Sequence, residues 1–148
     1  MYFYIVIERG MAYNGIRISM SKKHWEGVTE KMKLAVIFGG ISSEHDISCL
    51  SAASILRNLD KSKYEIHAVG ITREGRWYYL PECDADAIES GAWESRNDLV
   101  PALLPPDRSI HGLVLLREGE TEFVRLDCVF PVLHGVGGED GTMQGVLE

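Results

Sequence analysis

The chain has 148 residues, 45% hydrophobic and 25% charged, with a formal net charge of -7. That is enough apolar material for one compact domain with its own core. The acidic balance excludes the basic footprint that a nucleic acid or an anionic membrane surface would require. No apolar run approaches the roughly 20 residues needed to span a bilayer.

The opening segment MYFYIVIERG is apolar but lacks a basic leader and a small-residue cleavage site, which speaks against a signal peptide. Cys49, Cys83 and Cys128 are odd in number and widely spaced. They suggest neither a disulfide framework nor a zinc site, and are read as buried or incidental thiols of a cytoplasmic protein.

Residues 1–32 carry five basic and three acidic residues, whereas 33–148 carry ten and nineteen. The first segment has two β-prone stretches, Tyr2–Ile7 and Gly15–Met20, that could pair as a hairpin. The preferred reading is an extension, either disordered or lying upstream of a true start at Met32.

From Lys33 the pattern sharpens. Lys33–Phe38 is a short apolar run ending at Gly39-Gly40, which predicts a buried strand entering a tight loop. Cys49, Ala52, Ala53, Leu56 and Leu59 then recur at helical spacing, and Ser43 with Asp46 has the form of a capping box at the helix start. Tyr64–Ile71 predicts a second strand. Strand, helix and strand within about 40 residues make a βαβ unit, hence a parallel sheet with a right-handed crossover.

Trp77–Leu80 reads as a short strand after a turn at residues 73–76. Residues 81–112 read as loops with a short helix near Ala85–Glu89. Leu113–Leu116 and Glu122–Leu126 predict a hairpin inserted into the domain. Cys128–Leu133 predicts another strand, although Pro131 conflicts with a place inside a ladder. Gly141–Glu148 begins a helix whose apolar residues Met143, Val146 and Leu147 share one face. No element follows to cover that face, so it is expected to be exposed, with marginal stability or self-association as the result.

Two segments share one grammar of apolar strand, glycine-rich polar loop and helix start: residues 39–46 and residues 134–141. In an open parallel sheet both loops emerge at the carboxyl ends of strands, where ligands bind. Glycines allow close backbone approach, and free N–H groups at a helix start suit a carboxylate or phosphate. These residues imply a polar small-molecule site with one carboxylate, Glu44, and one imidazole, His134. Neither loop has the dinucleotide fingerprint or the phosphate-loop spacing. On the residues alone, Gly39-Gly40 also fits a plain βα turn, Glu44 a solvated first-turn acid, and His134 a strand-end histidine bonded to backbone. His24, His67 and His111 sit in ordinary contexts, and His45 reads as a neighbour of the site.

Together, LAVIFGGISSEHDISCLSA and DCVFPVLHGVGGEDGTMQGVLE closely resemble the two amino-terminal signatures of the D-alanine–D-alanine ligase family, within the ATP-grasp superfamily. The second follows H-G-x-x-G-E-D-G-x-x-Q-G-x-L-E at every fixed position from His134 to Glu148. The resemblance covers about Lys33 to Glu148 and is weakest through 81–112. It implies an α/β, Rossmann-like (pre-ATP-grasp) parallel sheet flanked by helices.

The family joins two D-alanines with ATP through an acyl phosphate, for peptidoglycan synthesis. The resemblance implies that Glu44 holds the ammonium group of the first D-alanine and that His134 lies near its carboxylate. It further implies that Glu139 orders its loop, and that Ser42, Gly39 and Gly40 shape the pocket floor. No residue here is assigned to a metal. ATP and magnesium or manganese are implied for the complete enzyme, on domains absent from this sequence, as is a homodimer. The fragment alone is expected to be inactive. Two alternatives stand beside this reading: a D-alanine–D-lactate or D-alanine–D-serine ligase of the vancomycin-resistance type, and a non-catalytic Rossmann-like binding module.

Overall fold

The computed structural model describes Phe3–Tyr4 and residues 30–107 and 109–148. The described strands are β1 (Phe3–Tyr4), β2 (Met32–Gly39), β3 (Tyr64–Ile71), β4 (Trp77–Leu80), β5 (Val100–Leu103), β6 (Gly112–Arg117), β7 (Glu120–Arg125) and β8 (Cys128–Pro131). The α-helices are α1 (His45–Asn58), α2 (Ala85–Glu89) and α3 (Thr142–Leu147), with a 3₁₀ segment at Ala92–Ser95. Apart from Phe3–Tyr4, the readings made for residues 1–29, including His24, lie outside the described residues.

The strands form one sheet in the order β1-β8-β2-β3-β4-β5-β6-β7. The β1-β8, β8-β2 and β2-β3 pairs are parallel, and every later pair is antiparallel. The α/β class stands, but the sheet is mixed. The β6-β7 hairpin extends the same sheet through β4 and β5. The strand β5 and the 3₁₀ segment lie in the stretch read as loop.

Side chains alternate along β2 between two cores. Leu34, Val36 and Phe38 join Cys49, Ala52, Ala53 and Leu56 of α1, together with Ile88 and Trp93. Ala35 and Ile37 face the other way, in a cluster with Val69, Leu113, Leu115, Val129, Met143 and Leu147. A strand covered on both faces has no polar alternation, which is why β2 reads as an unbroken apolar run.

The conflict at Pro131 resolves through pairing. Val132 N–H donates to the Ile37 carbonyl at 2.7 Å, continuing the ladder to β2. Successive N–H groups on a strand point to opposite sides, so the N–H that Pro131 lacks would point away from β2. On that side the described register with β1 pairs Phe3 with Cys128 and Tyr4 with Val129.

Two expectations are corrected. The start of α1 is not a Ser43–Asp46 box: Glu44 occupies the N-cap position without a side-chain cap bond. Instead the Ser42 hydroxyl accepts from the Glu44 N–H at 3.1 Å. The apolar face of α3 is not exposed either. Met143 and Leu147 are buried at 6% and 4% relative exposure, packed on the second face of the sheet, while Val146 is half-buried.

Candidate functional site

β2 and β8 are adjacent and parallel, so their carboxyl ends lie side by side. From β2 the chain passes through α1 to β3 on one side, while β8 pairs on the other. A crevice opens where strand order reverses in this way, and open α/β sheets bind ligands there. Both glycine loops, residues 39–46 and 134–141, leave the sheet at this point.

Gly39 ends β2 and Gly40 follows it, with φ of +87° and +101°. A side chain at Gly39 would meet the Ile71 carbonyl oxygen at 2.2 Å, so the tight turn and the close packing both demand glycine there. The Gly40 N–H bonds the same carbonyl at 2.8 Å.

Ser48, fully buried on α1, ties the two strand ends together. Its hydroxyl accepts from the Gly39 N–H at 2.8 Å and donates to the Val132 carbonyl at 2.5 Å. Beside it, burial pushes the Cys49 thiol up to about 11, which suits a packing residue.

The two loops meet at Gly135. Its φ is +68°, and a Cβ there would lie 2.5 Å from Ser42 Oγ and 2.7 Å from Glu44 Oε2. The backbone of the second loop therefore rests directly on the polar side chains of the first. Ser42 is buried and Glu44 exposed, so the carboxylate stays open to solvent above a fixed floor.

His134, about one-third exposed, has Nε2 3.4 Å from the Ser51 hydroxyl on α1. Its Nδ1 lies 3.9 Å from Glu139 Oε1, an ion-pair distance rather than a hydrogen bond. The Glu139 N–H donates to the Gly135 carbonyl at 2.8 Å. Asp140 closes the loop: its carboxylate accepts from the Gly137 N–H at 2.8 Å and the Thr142 N–H at 3.0 Å. Those backbone donors hold it below the usual carboxylate range.

The six residues singled out from sequence, Gly39, Gly40, Ser42, Glu44, His134 and Glu139, thus share one edge of the sheet. Sequence reasoning missed Ser48 and Ser51, and placed Gly135 in the second loop without a role of its own. Ser48 and Ser51 lie four and seven residues after Glu44, a helical repeat that pointed to their shared face. His45 is buried and bonded beneath the loop, and His67 is a core-lining histidine with Nδ1 3.4 Å from the Tyr79 hydroxyl.

Residues 33–148 match the family model described as the D-ala D-ala ligase N-terminus. A D-alanine–D-alanine ligase of a Thermoanaerobacter species is 51% identical over 119 residues, 80% of this chain and 32% of that protein. A putative D-alanine–D-lactate ligase of Streptomyces coelicolor is 48% identical over 118 residues, again 80% of this chain and 32% of that protein. Among solved structures, the VanG D-Ala:D-Ser ligase of Enterococcus faecalis superposes with a TM-score of 0.73 at 37% identity, covering 80% of this chain and 33% of that one. The chain therefore spans about a third of the length of the curated relatives it matches.

Proposed function

The chain belongs to the D-alanine–D-alanine ligase amino-terminal family, and on that premise we propose that it forms the first-substrate side of an ATP-dependent ligase making D-alanyl-D-alanine for peptidoglycan. In this reading residues 33–148 are the amino-terminal domain, 1–32 are an extension to it, and the complete enzyme is a cytoplasmic homodimer. No described helix is long and apolar enough to cross a membrane.

The observation that carries the proposal is the seating of Gly135 on Ser42 and Glu44. It joins the two signature loops into one polar floor with a solvent-facing carboxylate. A zwitterionic amino acid asks for a carboxylate against its ammonium and an N–H donor against its own carboxylate. Glu44 supplies the first and His134 the second, while Glu139 and Asp140 hold the loop that presents His134. Gly39 and Gly40 let the floor lie close to the ligand.

Among the described residues, no group of three or more His, Cys, Asp and Glu side chains is placed to hold an ion. The side chains lining the loops are acidic where phosphates would call for cations. ATP and magnesium or manganese are assigned to the part of the ligase beyond the third that this chain represents.

In the complete enzyme, Glu44→Gln should raise the KM for the first D-alanine by about tenfold or more, the scale of one charged hydrogen bond, and leave the KM for ATP in place. Equal effects on both substrates would remove Glu44 from the assigned role. A second reading is favoured by the lactate-ligase and D-Ala:D-Ser relatives at 48% and 37% identity. It shares the first D-alanine and differs in the second substrate. Product analysis with D-alanine, D-serine and D-lactate in competition separates the two.

A further inference from the structure

His45 follows Glu44 directly and is 2% exposed. Its Nδ1 lies 2.8 Å from the Gly40 carbonyl oxygen, and its Nε2 lies 3.1 Å from the Glu94 carboxylate. A carbonyl and an ionised carboxylate only accept hydrogen bonds. A neutral imidazole has one donor and one acceptor nitrogen, so either tautomer would leave a lone pair facing an oxygen. Two acceptors call for two N–H groups.

The surroundings fix the ring in place. Trp93 stacks nearly parallel to it, with centroids 6.4 Å apart and an interplanar angle of 11°. Phe38 meets Trp93 edge-on at 5.3 Å. From the other side, the position a Cβ would take at Gly39 is 3.0 Å from His45 Cε1. The charged groups around the ring are few. Glu94 comes from the 3₁₀ segment, and Glu44 and Asp46 flank it on α1. Arg73, from the turn after β3, is spent on Asp46 at 2.6 Å. Glu94 is thus the carboxylate bonded to the ring, and its side chain is itself 31% exposed.

We propose that His45 is a positioning residue: a buried imidazolium, held doubly protonated by Glu94, that fixes the Gly40 carbonyl and hence the floor on which Glu44 presents its carboxylate. This rests on the role proposed for Glu44. It gives the stretch around Trp93 and Glu94, far from both glycine loops in sequence, a place in the substrate site. Loss of the Glu94 carboxylate would leave the buried ring without its second hydrogen-bond partner, so the clamp should respond to that change.

The test begins with the 148-residue chain labelled with ¹⁵N-histidine. At pH 7 the His45 ring should show both nitrogens protonated, and in Glu94→Gln it should revert to a single-proton tautomer. A single-proton ring in the unmodified chain overturns the proposal, as does a doubly protonated ring that ignores Glu94→Gln. In the complete ligase, Glu94→Gln should raise the KM for the first D-alanine by about tenfold at unchanged KM for ATP, with Glu94→Asp recovering part of the loss. An unchanged D-alanine KM overturns the positioning role. The ring measurement does not involve Glu44, so failure of the Glu44→Gln test would remove the substrate reading while the protonation result stands or falls alone.

Discussion

At the scale of single residues, the site depends on a position without a side chain. Gly135 combines a left-handed φ of +68° with Ser42 Oγ and Glu44 Oε2 within 2.7 Å of where a Cβ would stand. Alanine there would add backbone strain and push the carboxylate off the floor. Gly135→Ala is expected to cost about 1–3 kcal/mol of stability and to weaken first-substrate binding in the complete enzyme. Urea denaturation and D-alanine kinetics check the two parts, and a variant as stable as the parent would contradict the close packing. The contrast with Gly137 is useful. It too has a positive φ, of +86°, but nothing lies within 4 Å of its added Cβ. There the demand is on the backbone alone.

At the scale of elements, α1 links the two loops. Its hydrophobic repeat, legible in sequence, packs it on β2, but its polar residues do the joining. Ser48 bridges the end of β2 to the end of β8. Ser48→Ala would leave the Gly39 N–H and the Val132 carbonyl without that partner in a fully buried place. The expected loss is about 1–3 kcal/mol, read as a lower urea midpoint at unchanged slope. No loss would mean that other groups satisfy both atoms. The start of α1 shows how a cap signal can slip by one residue. Ser42 and Ser43 are adjacent, but Ser42 is the one turned inward, and its hydroxyl accepts from the Glu44 N–H. Sequence spacing cannot tell neighbouring serines apart when the loop path decides which one faces the backbone.

At the scale of the molecule, the helix that sequence leaves uncovered turns out to be part of the core. α3 folds back on the sheet face opposite α1, so Met143 and Leu147 complete the second cluster. Leu147→Ala is expected to destabilise the chain by about 2–5 kcal/mol, monitored by thermal or urea unfolding of the 148-residue protein. A change within about 0.5 kcal/mol, the range of ordinary surface substitutions, would restore the exposed-face expectation. The antiparallel half of the sheet likewise has a global origin. The weak middle of the chain contributes β5, which joins β4 to β6 and makes the hairpin continuous with the parallel half.

The elements buried along most of their length are legible in the residues alone. β2 from Leu34 and β3 from His67 are covered on both faces, and α1 carries its repeat because one face is. The family is legible there too, because the fixed positions from His134 to Glu148 form one dense pattern within 15 residues. Features that depend on neighbours distant in the chain emerge in the folded molecule. Val100–Leu103 gains strand character from pairing with β4 and β6, and α3 is buried because the second face of the sheet is open to it. Gly135 settles on Ser42 and Glu44 because β8 lies beside β2. The physical reason is common to all three: local periodicity records whether a residue is buried, whereas the partner that buries it is chosen by sheet order.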